Sequence, residues 1–131
     1  MKSKSLSFIG AAAISGIAMW IVAGLWHNLI LPLFDKNVHP HHEGLVLMLI
    51  AYFVLSLLMT NIYILSTKSG SHIINGLKIG IIVGILWVFP HGLAMAGVHN
   101  TSVIYEIKNT LWHVIEQGIG GIIIAIVLKN R

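Results

Sequence analysis

The chain has 131 residues, 56% of them apolar and 9% charged, with a mean hydropathy of +0.88. Soluble domains carry about 25% charged residues, so a water-soluble globule with a polar shell is excluded, and so is a disordered chain. Eight Lys and Arg against four Asp and Glu give a formal charge of +4, too thinly spread to make a nucleic-acid footprint. The lack of cysteine excludes disulfides, thiolate metal sites and a cysteine nucleophile.

A helix needs about 20 apolar residues to cross a hydrocarbon core of about 30 Å. Four such runs are predicted, over about residues 6–31, 45–65, 73–98 and 109–128. The first is longer than a cleavable signal segment, whose apolar part is about 7–15 residues, and is therefore a retained span. Pro32 and then Asp35-Lys36-Asn37 end it, because proline disfavours helix in the residue before it and charges belong in water. Connections of roughly 13, 7 and 10 residues make consecutive helices antiparallel neighbours. The expected fold is all-α: one domain over residues 1–131, a polytopic membrane protein built as an antiparallel up-down-up-down four-helix transmembrane bundle.

Basic residues set the orientation. Lys2, Lys4, Lys68, Lys78, Lys129 and Arg131 fall at the amino terminus, the second connection or the carboxyl terminus, whereas only Lys36 and Lys108 fall on the other face. Short loops rich in Lys and Arg stay on the cytoplasmic side, so both termini are expected there. Gly76, Gly80 and Gly84 recur every four residues in the third span and make a smooth strip where another backbone comes close. That strip serves either packing inside the bundle or a homodimer contact.

Polar side chains inside a span must face protein, a cavity or each other. His27 lies near the outer end of the first span, His91 in the third, and His113 and Glu116 in the fourth. At 1.5 Å per residue all four are expected within roughly 10 Å of the outer boundary. In the fourth span Asn109, His113, Glu116, Gln117, Gly120 and Ile124 follow steps of three or four, one polar and small stripe on an otherwise aliphatic helix. Gly80, Gly84, Trp87 and His91 share a face of the third span, and Tyr52, Ser56, Thr60 and Tyr63 share a side of the second.

Three imidazoles and a carboxylate on facing helices suit a transition metal such as zinc, iron or copper. The same atoms would serve haem b held by two histidines, although arginine for the propionates is missing. They would also serve as a proton relay, or as hydrogen-bonding groups that lock the packing. Asn28, Tyr52 and Gln117 would orient the ligands. His39, His41, His42 and Glu43 form a short loop tract that would capture a divalent ion from the outer compartment, and Pro40 with Glu43 reads equally as a helix cap. Trp26, Trp87 and Trp112 read as interface anchors and core fillers. No serine or threonine nucleophile with a nearby base is visible, so catalytic residues are not expected.

The stretches WHNLILPLF (Trp26 to Phe34), GLKIGIIVGILW (Gly76 to Trp87) and VIYEIKNTLWHVIEQG ahead of a glycine-rich span resemble small four-span bacterial membrane proteins classed as domains of unknown function. The resemblance implies a bacterial membrane location and no particular activity. Small multidrug exporters have a similar size and four spans, but carry their coupling carboxylate in the first helix, where this chain has none. The functional expectation is a multi-pass protein of the bacterial inner membrane with an outward-side metal or haem site at His27, His91, His113 and Glu116. The alternatives are a small proton-coupled transporter or channel, or an accessory subunit of a larger membrane complex.

Overall fold

The computed structural model of the chain describes residues 2–34, 44–66 and 69–129. The described residues are helical apart from short turns. Helix α1 (Lys2–Leu25) passes through a π-helical turn (Trp26–Ile30) into a short α2 (Leu31–Phe34). It is followed by α3 (Leu45–Ser66), α4 (His72–His99) and α5 (Val103–Leu128). Four segments, Leu6–Leu33, Leu45–Ser66, His72–His99 and Val103–Leu128, are long and apolar enough to cross a membrane. Leucine, isoleucine and valine cover their outer faces, among them Leu6, Leu33, Val46, Leu65 and Val98. That surface is unfavourable in water and matches the acyl chains of a bilayer.

The fourth span starts earlier than hydropathy predicts, at Val103 rather than near residue 109. Asn100 closes α4 in the left-handed conformation (φ 53°), with Thr101 N–H donating to Ala96 O at 3.1 Å. Ser102 then enters α5 in an extended conformation, and the N–H of Tyr105 donates back to Ser102 O. Tyr105, Glu106 and Lys108 lower the hydropathy of the first two turns without preventing helix, because a helix can run beyond the hydrocarbon. The connection is thus about three residues long.

The tightest pair is α4 against α5. A methyl group at Gly76 would run into the Gly121 carbonyl, one at Gly80 into the Gln117 carbonyl, and one at Gly84 into His113 and Val114. These contacts descend along α5 as they ascend along α4, so the pair is antiparallel. The strip of Gly76, Gly80 and Gly84 is therefore buried under α5, and a homodimer would have to use another face. Backbone-to-backbone approach of this kind lets dispersion hold two helices together in lipid, where the hydrophobic drive between helices is lost.

Helix α1 lies between α5 and α3. Ser15 Oγ donates to Gly120 O at 2.9 Å, Gly16 packs on the backbone of Phe53, and Trp20 Nε1 donates to Leu45 O at 3.2 Å. Around the bundle the order is α1, α3, α4, α5, with α3 and α5 approaching across the middle while α1 and α4 do not touch. The core of Ala11, Met19, Leu55, Met59, Tyr63, Ile79, Ile124, Ala125 and Leu128 lies toward the end of the bundle where α5 finishes. At the level of Glu116 polar groups take its place.

Candidate functional site

The first helix reaches the site through a change of pitch. Pro32 has no N–H to give the carbonyl four residues before it, and its ring would press on that carbonyl. The chain answers by widening: Leu31 N–H donates to Trp26 O and closes a π turn over Trp26–Ile30. The helix then continues through Pro32 to Phe34 instead of ending there. Asn28 sits on this turn, and its Nδ2 donates to Gly24 O at 3.0 Å. Asn28 is thus engaged by its own helix through one of its amide protons. Trp26 stacks on Trp112 of α5, ring centroids 4.2 Å apart and planes 9° from parallel. The stack clamps the π turn against α5 and brings His27 within electrostatic reach of His113 and Glu116.

Glu116 is fully buried, as is Gln117. At 1.5 Å per residue it stands about 20 Å along α5 from Val103 and about 18 Å from Leu128, near mid-length. Its Oε1 accepts from Gln117 Nε2 at 2.8 Å and lies 3.7 Å from His113 Nδ1, an ion-pair distance without a hydrogen bond. Tyr52 of α3 directs its hydroxyl at the same carboxyl. Glu116 Oε2 is left without a hydrogen-bond partner. His113 Nδ1, Gln117 Oε1 and Trp112 Nε1 are likewise buried without partners. Buried polar atoms are nearly always paired, and each exception costs about 1–3 kcal/mol. Glu116 Oε2, His113 Nδ1, Gln117 Oε1 and Trp112 Nε1 all lie on adjacent turns of one helix.

Of the expected ligands, His27, His113 and Glu116 come together and His91 does not. Its side chain is exposed on α4. The buried row of α4 is Gly76, Gly80, Gly84, Val88, Gly92 and Ala96, in steps of four. The row through Trp87 and His91 takes a step of three at Gly84 and turns away from α5. Close packing of two backbones selects the four-residue ridge. Among the described residues no three His, Asp or Glu side chains are placed to hold a metal ion. The expected centre of three histidines and a carboxylate is therefore not assembled. The Trp26–Trp112 stack lies beside His27 and His113 in sequence on both helices. A cavity of about 160 Å³ lined by Met48, Ala51, Tyr52, Leu55 and Trp87 is smaller than the roughly 300–1,000 Å³ of ligand pockets. The tract of His39, His41, His42 and Glu43 lies outside the described residues.

One carboxylate escaped the sequence reading. Glu106 is buried where α5 meets α4, its Oε2 lodged in the space that a side chain at Gly92 would occupy. Thr110 is also buried, one turn on, and its Oγ1 donates to Glu106 O at 2.8 Å. The spacing Glu106, Thr110, His113, Gln117 was available as a signal, but placing the start of the span at residue 109 cut it off.

Comparison with protein-family models, with curated proteins and with solved structures gave no match to this chain.

Proposed function

We propose that the chain is a multi-pass protein of a bacterial inner membrane that carries protons, as a small proton-coupled transporter or channel, with Glu116 as the group that binds and releases the proton. The observation that carries this reading is a fully buried carboxyl at mid-length of a span, with one oxygen unpartnered, one imidazole 3.7 Å away, and a second imidazole and a phenol within electrostatic reach. A charged side chain at the centre of a bilayer costs at least about 2.5–3.5 kcal/mol. A carboxylate buried inside a span needs a compensating positive charge, and His113 and His27 are the groups that stand near enough to supply it. Loading and unloading of the carboxyl is in this way tied to its neighbours.

Buried Glu106 and Thr110 and the partly buried His113 lie between Glu116 and the start of α5 and supply access from that end. The placement of Lys68, Lys78, Lys129 and Lys2 supports cytoplasmic termini, which makes the start of α5 the outer end. The test is proton flux in liposomes that hold the full chain, an internal pH dye and an imposed potential. Glu116→Gln keeps the shape and the bond to Gln117 but removes the exchangeable proton. Loss of flux in a variant that still folds is expected; undiminished flux refutes the role of Glu116.

A further inference from the structure

Beyond Glu116 the polar groups pass from α5 to α3. Tyr52 meets the carboxyl, and Ser56, Thr60 and Tyr63 follow at steps of four, four and three on one face of α3. All three are buried, in the span of highest mean hydropathy, 2.3. Thr60 Oγ1 donates to Ser56 O at 2.7 Å, which satisfies its proton and leaves its oxygen able to accept. Ser56 Oγ is buried without any partner, so packing and backbone capping do not account for it. Tyr63 reaches out of its own helix: its hydroxyl lies 3.3 Å from Nδ1 of His72, the exposed first residue of α4. A hydroxyl face that starts at a buried carboxyl and ends on an imidazole in contact with water has the order of groups that proton transfer needs.

We infer that Tyr52, Ser56, Thr60, Tyr63 and His72 form the inner leg of a proton path from Glu116 to the cytoplasmic side, with His72 at its mouth. The inference rests on the proposed role of Glu116. Successive Cβ atoms on this face are about 5–6 Å apart, and water molecules would complete the links between the hydroxyls. Each hydroxyl takes a proton on its oxygen and gives up its own on the far side, Thr60 by turning its O–H away from Ser56 O, so no group along the leg keeps a net charge. His72 accepts the last proton on Nδ1 and releases one from Nε2 to water.

The test uses the same liposomes with Ser56→Ala and Tyr63→Phe, each of which removes a relay atom and little volume, and with His72→Ala at an exposed position. Thr60→Val replaces Ser56→Ala if that variant fails to assemble. Expected is a drop in flux of about tenfold for each, equivalent to about 1.4 kcal/mol in the barrier. Imidazole supplied to the compartment that His72 faces is expected to restore flux in His72→Ala and to leave Tyr63→Phe slow, which a merely structural His72 would not do. Flux that is lost in Glu116→Gln yet intact in Ser56→Ala, Tyr63→Phe and His72→Ala overturns the path and leaves the role of Glu116 standing. A slow His72→Ala that imidazole does not restore removes His72 from the path. Wild-type protein that carries no protons overturns both.

Discussion

Gly80→Ala puts the α4–α5 contact under the most direct test. An ideal Cβ at Gly80 lies 2.7 Å from the Gln117 carbonyl carbon and 2.7 Å from Gly118 Cα, whereas carbon atoms rest at about 3.5–4.0 Å. The two helices must separate by about 1 Å, and because both obstacles are backbone no rotamer change relieves the clash. Overpacking of this kind costs about 1–3 kcal/mol. Alanine also favours helix over glycine by up to about 1 kcal/mol, which would mask part of the loss. Gly10→Ala supplies the reference, since nothing lies within 4 Å of a Cβ there and it receives the same helical gain. The expected result, by reversible unfolding in mixed detergent micelles, is Gly80→Ala less stable than Gly10→Ala by about 1–3 kcal/mol. Equal stability of the two variants would mean that α4 and α5 do not meet backbone to backbone.

A double-mutant cycle on Trp26→Ala and Trp112→Ala should return a coupling of about 0.5–1.5 kcal/mol for the stacked pair; additive losses would show that the rings do not stack. Pro32→Ala frees the π turn to relax to regular helix and turns His27 by about 100°. Disulfide trapping between His27→Cys and His113→Cys, in a chain that has no other cysteine, should then slow markedly, and an unchanged rate would divorce the turn from the proline. Elemental analysis and an absorption spectrum of tag-free protein should show less than stoichiometric metal and no Soret band. Near one equivalent of iron, copper or zinc would return His27, His113 and Glu116 to the role of ligands.

The existence of four apolar helices was legible because hydropathy over 20 residues is a strong signal, and the ends of α3 and α4 fall close to the predicted ones. The start of α5 was not, since a scale that rewards apolar residues cannot register two helical turns carrying Tyr105, Glu106 and Lys108. The glycine strip announced a close approach without naming α5 as its partner. Convergence of His27, His113 and Glu116 could be read from the small and polar faces, whereas the position of His91 depended on whether the buried row of α4 steps by three or four after Gly84. That choice is made by the partner helix, not by α4 itself. The π turn had no sequence signature beyond Pro32, because a proline reports that the regular ladder must break and not how the chain will repair it.

The seam between α3 and α4 is the least sealed side of the bundle, with Trp87 half exposed beside Met48, Ala51, Tyr52 and Leu55. Lipid rather than protein completes the wall there. The insulation around Tyr52, and so around the carboxyl it faces, is borrowed from the surrounding acyl chains. Chain length, unsaturation and lateral pressure of the host membrane thereby become part of the protein's electrical properties.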